Sequence, residues 1–364
     1  MKRKFAEVLS IINGRNQKKV ENPNGKYPIY GSGGVMGYAD DYLCKEDTVV
    51  LGRKGNINKP IFVDQKFWNV DTAFGLEACR EILLPKYLYY FCCRYDFERH
   101  NKTVTIPSLT KKDLLEIEME VPELPAQNHA VEVLDAIQEN ISNRQHVLTL
   151  LDELVKSRFV EMFGDPVTNP YCWPIKFLTD LGSCKNGMNF HREDEGYKIH
   201  CLGVGDFRNF SVISDIEKLP IISLDAAPAQ DYLLQNEDIV FVRSNGNKKL
   251  VGRCVAVYPD DVPMTFSGFC IRFRKSRTVD IQTRYLLQVL KSDGVKMQME
   301  GRGANIQNLN QKILAQVKIP IPPLGLQTQF STFVHRVEAT KTTVRAQLAA
   351  LTTLRAKMMQ EFFG

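Results

Sequence analysis

Residues 106–127 read IPSLTKKDLLEIEMEVPELPAQ, and residues 306–327 read IQNLNQKILAQVKIPIPPLGLQ. The two stretches share residues at a constant spacing of 200, and the shared pairs include Ile106 and Ile306, Leu109 and Leu309, Leu114 and Leu314, Pro122 and Pro322, Leu124 and Leu324, and Gln127 and Gln327. The same spacing continues without a gap to Phe163-Gly164 and Phe363-Gly364. A repeat of this width predicts two similar modules on one chain, related by an approximate two-fold axis.

A long stretch with helical periodicity follows each repeat. Apolar residues recur at intervals of three and four from Pro125 to Gly164 and again after residue 323, where Lys341 and Arg355 interrupt the pattern. Helices of this length usually pair as a coiled coil, and the opposite net charges of these two favour pairing with each other. The predicted helix-pair interface consists of Leu134, Ile141, Leu148, Leu151, Val155, Val337, Val344, Leu348, Leu351 and Met358.

The remaining sequence predicts two modules of mixed secondary structure. Short strands with Gly/Asn turns are indicated between residues 25 and 78 and between 237 and 274, and helices at 86–99 and 284–299. We therefore predict an α+β fold with a module at 1–124, a spacer helix at 125–164, a second module at 165–322 and a second helix at 323–364. The pseudo-two-fold requires the long helices to be antiparallel, which places the modules at opposite ends of the pair.

Composition limits the class of protein. A chain of 364 residues with 44% hydrophobic and 24% charged residues is typical of soluble globular proteins. No apolar run is long enough to span a membrane, no signal peptide is recognisable, and we expect no membrane partner. The nine cysteines contain no C-x-x-C pair, so neither a zinc site nor a disulfide framework is predicted and a reducing cytoplasm fits. A net charge of +5 is by itself only a weak indication of nucleic-acid binding.

Two loops rich in glycine, asparagine and basic residues each follow an apolar strand. Arginine can bind guanine through two hydrogen bonds, asparagine can bind adenine, and lysine can hold phosphate. A solvated hairpin turn has the same composition, but its recurrence in both modules favours DNA contact. The candidate DNA-binding residues are Arg53, Lys54, Asn56, Asn58 and Lys59 in the first loop and Arg243, Ser244, Asn245, Asn247, Lys248 and Lys249 in the second.

Further candidates lie in the loops that precede the repeated stretches and in a glycine-rich turn at residues 27–38. Their side chains suit contacts to phosphates and base edges, although a polar helix-capping loop explains them equally well. These candidates are Arg99, Lys102 and Thr103 in the first module, Arg302, Asn305 and Asn308 in the second, and Ser32 in the glycine-rich turn.

Signatures of enzymes are mostly missing. The sequence contains no P-loop and no H-E-x-x-H motif, and its six histidines have no metal-ligand spacing. The loop Asn169-Pro170-Tyr171 lacks the second proline of an amino-methyltransferase loop. Asp47, Asp64 and Lys66 have the spacing of a magnesium-dependent nuclease, but acidic residues near strand ends are common, so a structural role is the favoured interpretation.

The segments VPELPAQ and IPIPPLGLQ, each followed by a long helix, occur twice around two variable modules. This pattern resembles the specificity subunit of type I restriction–modification systems, and the resemblance covers essentially the whole chain. One departure is that Ala126 and Leu326 stand where the family often has glutamate before the glutamine.

The resemblance implies that each module is a target recognition domain that reads one half of a bipartite sequence in double-stranded DNA, while the helices fix the spacer. It implies no catalysis and no bound cofactor in this chain. Two methyltransferase subunits would supply S-adenosylmethionine, motor-nuclease restriction subunits would supply ATP and magnesium, and the complex would lie in a prokaryotic cytoplasm. We expect the methyltransferase subunits to dock on apolar residues outside the helix stripe, namely Val147, Phe163 and Phe363.

Two alternatives from other classes stay open on the sequence alone. The first is a magnesium-dependent nuclease or fused restriction enzyme that uses Asp47, Asp64 and Lys66. The second is a coiled-coil scaffold that binds only proteins. The recognised DNA sequence cannot be read from the loops, because readout depends on loop geometry and DNA shape.

Overall fold

The computed structural model of the protein describes residues 1–101, 106–191, 194–208, 212–300 and 308–364. The chain divides into two compact units, the first formed by Met1–Val147 with Val344–Gly364 and the second by Leu148–Thr343. Each unit therefore contains one module of mixed structure and a part of each long helix. The domain boundaries predicted at residues 124, 164 and 322 follow the helix ends rather than these units, and they remain a prediction.

The first module, in its described residues, contains nine strands and three short helices. Its strands are β1 (Lys2–Lys4), β2 (Leu9–Asn13), β3 (Tyr27–Gly31), β4 (Gly34–Ala39), β5 (Thr48–Gly52), β6 (Ile61–Val63), β7 (Trp68–Asn69), β8 (Ala73–Ala78) and β9 (Glu118–Glu120). Its helices are α1 (Phe5–Val8), α2 (Pro85–Arg94) and α3 (Lys111–Leu115), with a 3-10 turn at Phe97–His100, and the long helix α4 (Leu124–Phe163) follows. The sheets have the orders β2-β8-β5-β6, β4-β3-β7 and β1-β9.

The second module repeats this organisation. Its strands are β10 (Ile175–Phe177), β11 (Gly182–Asn186), β12 (Tyr197–Leu202), β13 (Val212–Ile213), β14 (Ile221–Leu224), β15 (Asp238–Val242), β16 (Cys254–Val257), β17 (Met264–Phe266), β18 (Cys270–Lys275) and β19 (Lys318–Pro320). Its helices are α5 (Leu178–Leu181), α6 (Thr283–Lys291), α7 (Asp293–Glu300) and α8 (Gln311–Leu314), and the long helix α9 (Leu324–Phe363) follows. The sheets have the orders β11-β18-β15-β16-β13, β14-β12-β17 and β10-β19.

The strand orders of the two modules correspond one to one, apart from the additional strand β13. A parallel pairing is also repeated, because β3 pairs in parallel with β7 and β12 pairs in parallel with β17. The additional strand β13 pairs in parallel with β16. The large sheet of each module packs against a helix, α2 in the first and α6 in the second, to form the core. The predicted α+β fold with an internal duplication is confirmed.

The two long helices have the same length because the same residues begin and end them. Each is 40 residues long, or about 60 Å at the rise of an α-helix. Pro125 and Gly325 lie in the first turn, where a missing or flexible backbone group costs little. Gly164 ends α4 with a left-handed φ of 74°, a conformation that glycine adopts without strain. Among the described residues, no helix is apolar over a sufficient length to cross a membrane.

Contacts within the second unit show that α4 and α9 pair in an antiparallel direction. Lys341 Nζ on α9 lies 2.7 Å from Asp152 Oδ1 on α4, and the rings of Phe330 and Phe159 lie 5.5 Å apart. Along the contact, residue numbers therefore increase on α4 while they decrease on α9, as in an antiparallel pair. Lys341, which interrupts the apolar pattern of the sequence, is buried and also contacts Glu338 at 2.8 Å.

The predicted helix-pair residues are buried to different depths, and their place in the helix pair stays a prediction. In the first unit, His129 on α4 packs against Phe362 on α9, with ring centres 6.2 Å apart. The buried members of the predicted set are Leu134, Ile141, Val155, Val337 and Val344. The half-buried members are Leu148, Leu151, Leu348, Leu351 and Met358.

A buried glutamine joins each long helix to the module before it. The Gln127 Oε1 atom accepts a hydrogen bond from the Leu84 N–H at 2.8 Å, and its Nε2 donates to the Pro122 carbonyl at 2.8 Å. Leu84 is the N-cap of α2, so the glutamine satisfies a backbone group at the end of that helix.

In the second module, Gln327 accepts from the Gln282 N–H at 3.0 Å and donates to the Pro322 carbonyl at 2.8 Å. Gln282 is the N-cap of α6, so the bond corresponds to the one made in the first module. The repeated glutamine therefore fixes each module to its helix.

We expect Gln327→Leu to destabilise the second unit by about 1–3 kcal/mol, because it leaves the buried Gln282 N–H and Pro322 carbonyl without partners. Urea denaturation of the full chain measures this loss. The matched control is Gln329→Ala, which removes an exposed glutamine from the same helix turn and should change stability by less than about 0.5 kcal/mol. Equal stability of the two variants would show that the glutamine bond is not what joins helix and module.

The prediction of one continuous helix at 284–299 is wrong, because the structure has two helices in this segment. The backbone of Ser292 is extended, with ψ of 142°, and this ends α6 before α7 begins at Asp293. The Ser292 hydroxyl donates to the Val289 carbonyl at 2.7 Å, so the side chain competes with the helical hydrogen bonds at this point.

The prediction that Phe163 is available for a partner is wrong, whereas the same prediction for Val147 and Phe363, which are half-buried, stays a prediction. Phe163 is 3% exposed, and its ring packs 4.8 Å from Tyr285 and 5.5 Å from Phe330. Phe363 packs 4.9 Å from Tyr87 in the corresponding place of the first module. The end of each long helix thus completes the core of a module, which explains why the repeat extends to these phenylalanines.

Candidate nucleic-acid interface

In the first module, the basic loop after β5 is held by main-chain bonds on both sides of Arg53. The Arg53 N–H donates to the Thr72 carbonyl at 2.8 Å, and the Arg53 carbonyl accepts from the Leu109 N–H at 2.9 Å. Leu109 belongs to the repeated stretch, so the loop rests directly on the duplicated framework. A Cβ on Gly52 would lie 2.3 Å from the backbone oxygen of Asn56, so this tight loop requires glycine.

The glycine-rich turn between β3 and β4 lies beside this loop. A Cβ on Gly52 would lie 3.2 Å from the Ser32 Cβ, and a Cβ on Gly33 would lie 3.6 Å from Nδ2 of Asn56. The structure therefore brings Ser32 together with Asn56, two candidates that are 24 positions apart in the sequence. Arg53, next to them, is exposed, and its guanidinium lies 5.7 Å from the centre of the Phe74 ring.

Asn58 and Arg99 are already engaged by the protein. The Asn58 Nδ2 donates to Asp96 at 3.0 Å, and its Oδ1 accepts from the Phe97 N–H at 2.8 Å. This side chain therefore holds the 3-10 turn at Phe97–His100. Arg99 lies 3.9 Å from Asp96 in an exposed ion pair, which costs little to exchange for a phosphate contact. Lys59 is exposed in the same region.

Next to this turn, Tyr95 and His100 form a stacked pair, with ring centres 5.8 Å apart and 2.7 Å between the Tyr95 hydroxyl and His100 Nε2. Burial raises the pKa of Tyr95. The two rings are joined by a stacking contact and a hydrogen bond. The pair supports the chain at the start of the loop that leads to the repeated stretch.

In the second module, Arg243 occupies the position of Arg53. Its N–H donates to the Phe269 carbonyl at 2.8 Å, and its carbonyl accepts from the Leu309 N–H at 2.7 Å. Its Nη1 donates to the Gly268 carbonyl at 3.2 Å, so the guanidinium is partly oriented before any ligand binds. The two arginines selected from the sequence are thus structural counterparts.

The rest of the second loop forms a compact turn. The Asn245 Oδ1 accepts from the Asn247 N–H at 2.7 Å, and the Asn247 Oδ1 accepts from the Lys249 N–H at 3.1 Å. Ser244 forms a backbone bridge with Asn308, so this candidate from the repeated stretch lies beside the loop.

The first module has the same arrangement, with a bridge between Lys54 and Ser108. In both modules the framework therefore lies directly against the basic loop. Four candidates, Lys102, Thr103, Arg302 and Asn305, lie outside the described residues, as does the side chain of Lys248.

A family model for the type I restriction modification DNA specificity domain matches residues 1–151 and 170–353. The chain belongs to this family. It is 23% identical over 250 residues to the StySPI specificity subunit of a type I restriction enzyme from Salmonella potsdam, an alignment that covers 64% of this chain and 53% of that protein. The chain spans about half the length, or less, of the curated relatives that it matches.

Solved structures of the type I specificity family have the same fold. A crystal structure of the S subunit of a type I restriction–modification system from M. genitalium has a TM-score of 0.63 at 18% identity, covering 100% of this chain and 96% of that chain. A chain from a structure on complex assembly and conformational transition of the type I system has a TM-score of 0.57 at 16% identity, covering 100% and 97%. The resemblance inferred from the repeated segments is confirmed.

Two of the three residues of the nuclease alternative, Asp47 and Lys66, make other contacts in this type I specificity chain. Asp47 is paired with Arg80 at 3.0 Å. Lys66 donates to the Tyr42 hydroxyl at 3.5 Å and lies 4.7 Å above the Tyr42 ring. The described residues include no cluster of three or more histidines, cysteines or carboxylates that could hold a metal ion. These contacts give the nuclease alternative no support.

One exposed side chain beside the basic loop of the second module, Phe269, was not among the candidates chosen from the sequence. Phe269 is 62% exposed in the turn before β18, and its carbonyl is the acceptor for Arg243. The sequence signal was the segment Ser267-Gly268-Phe269, where an aromatic residue occupies a turn position that usually holds a polar one. The segment was assigned only to a strand.

Proposed function

We propose that this chain is the DNA-reading subunit of a type I restriction–modification complex and that each module reads one half of a bipartite target. The observation that supports this most strongly is the correspondence of Arg53 and Arg243. Both follow the same strand of their sheets and are held by the same two main-chain bonds, while the loop residues around them differ. A shared frame with different contacting side chains is what two readers of different half-sites require.

The chemistry of the loops assigns separate tasks to their side chains. Arg53 and Arg243 are placed to bind guanine edges in the major groove, and Asn56 and Asn245 to bind adenine. The exposed Lys54, like Lys249 in the second loop, serves to hold phosphates, which adds affinity without sequence preference.

This proposal assigns no catalytic step to the chain and no cofactor. Methylation of adenine with S-adenosylmethionine belongs to methyltransferase partners, and cleavage with ATP and magnesium belongs to motor-nuclease restriction subunits that join the complex in a prokaryotic cytoplasm. The fold supports two methyltransferase subunits, because the duplicated helices offer two equivalent docking positions. Leu154 and Leu354, 200 residues apart and 47% and 42% exposed, are the docking positions we propose in place of Phe163.

Co-expression with a methyltransferase subunit in a host that lacks other adenine modification tests the function. Methylation sequencing should find a bipartite motif only when this chain is present. A motif that persists without the chain, or one with no spacer, would contradict the proposal.

Light scattering of the purified complex should give the mass of one chain with two methyltransferase subunits. A one-to-one complex at saturating partner would exclude two equivalent docking positions.

A further inference from the structure

Phe269 is an exposed aromatic side chain that the fold does not need. It lies between β17 and β18, in a turn where its ring joins none of the hydrophobic clusters of the second unit. Leaving about 60% of a phenylalanine in water forfeits much of the free energy that its burial would contribute. Single exposed apolar side chains are common on protein surfaces, so a role for Phe269 depends on its position beside Arg243.

The backbone that carries the ring is fixed. The Ser267 N–H donates to the Leu202 carbonyl at 3.0 Å, and the Gly268 N–H donates to the Met188 carbonyl at 2.7 Å. The Phe269 N–H donates to the Ser267 hydroxyl at 3.2 Å. Three consecutive amides are thus paired, so the backbone at Phe269 is held in place and little loop entropy is lost on binding.

The same turn also positions the basic loop. The Phe269 carbonyl accepts from the N–H groups of Arg243 at 2.8 Å and Ser244 at 3.4 Å, and the Gly268 carbonyl accepts from the Arg243 guanidinium. The main chain that carries the aromatic ring is therefore hydrogen-bonded directly to Arg243. A ligand that contacts Arg243 in the proposed way therefore lies close to the backbone that carries Phe269.

The first module has the same pair of main-chain hydrogen bonds, but it has no aromatic side chain at the corresponding position. The Thr72 carbonyl accepts from Arg53 at 2.8 Å and from Lys54 at 3.3 Å, as Phe269 does for Arg243 and Ser244. Thr72 is therefore the counterpart of Phe269, with a small polar side chain. The two positions share these main-chain bonds and differ in side chain, which makes Thr72 a matched control position.

We infer that Phe269 is an apolar wedge that packs against a base step in the half-site read by the second module. This inference rests on the proposed function and names a specificity residue for it. Apolar side chains that partly unstack a base step act best at pyrimidine–purine steps, which deform easily. The ring would thus read deformability next to the base edge that Arg243 reads, and the first module would lack this element.

The test uses the complex with methyltransferase subunits and duplex DNA that carries the modified motif, with 2-aminopurine in place of each adenine in turn. Wild-type complex should raise the fluorescence at one step of the second half-site, identified as the half affected by Arg243→Ala. Phe269→Ala should abolish this rise and weaken binding by about 10- to 100-fold, the usual effect of losing an aromatic–base contact. Phe269→Leu should keep part of both effects, and Thr72→Ala should change neither.

Unchanged fluorescence and affinity in Phe269→Ala would overturn the wedge. If Arg243→Ala still relaxes one half-site in that case, the proposed function stands and only the wedge is wrong. If neither variant changes recognition, both are wrong. Equal loss of affinity from Phe269→Ala for cognate and unrelated DNA would also overturn the inference, because a base-step contact must discriminate between them.

Discussion

A chain that carries Arg243→Ala is expected to lose discrimination in one half of the bipartite target and to keep it in the other. A guanidinium that binds a base through two hydrogen bonds contributes about 1–3 kcal/mol of discrimination. Because Arg243 and Arg53 lie in different modules, Arg53→Ala should relax only the opposite half. Methylation sequencing of hosts that express each variant with the methyltransferase reads both halves in one experiment.

Two controls separate base contacts from other effects. Lys54→Ala and Lys249→Ala should weaken binding to all sequences and reduce the salt dependence of binding, as expected for phosphate contacts. Arg158→Ala removes a helical arginine that pairs with Glu161 and should leave the motif unchanged. If Arg243→Ala relaxes both halves equally, the two modules do not read separate half-sites.

Inserting four residues into each long helix is expected to lengthen the spacer between the half-sites by one or two base pairs. Four helical residues add about 6 Å, and one base pair of DNA spans about 3.4 Å. The insertions belong between Val147 and Leu148 and between Thr343 and Val344, where the chain passes from one compact unit to the other. Contacts within each unit are thereby preserved.

The double insertion should abolish modification of the original motif and create a motif with the same half-sites and a longer spacer. An insertion in α4 alone offsets its pairing with α9, including the contact of Asp152 with Lys341, and should lower stability as well as activity. Retention of the original spacer by a folded double-insertion variant would rule out the helices as the element that sets the distance.

The parts of this protein that were predictable are those with local or periodic causes. The 3.6-residue apolar pattern was sufficient for α4 and α9, and the 200-residue spacing was sufficient for the duplication. The correspondence of Arg53 and Arg243 followed from the recurrence of one loop composition after one kind of strand. In each case the physical cause acts within a few residues of the sequence pattern.

The parts that were missed depend on contacts between distant residues. Asn58 is of a residue type that can read bases, but its side-chain amide is hydrogen-bonded to Asp96 and Phe97, about 40 positions away. Phe163 continues the buried face of α4 after Phe159, but its burial depends on packing against the distant Tyr285 and Phe330. Gln127 was recognised as repeated, yet its acceptor role at the N-cap of α2 has no local signature.

The bonds that hold the basic loops to the framework join main-chain atoms, from Leu109 to Arg53 and from Leu309 to Arg243. Backbone groups are the same in every residue type except proline, so substitutions in the loops leave these bonds in place. If the chain reads DNA as proposed, it can therefore acquire a new target by point mutation while its modules keep their fold. Mutational tolerance is thus concentrated in the recognition loops, which accounts for two modules with one topology and little shared sequence.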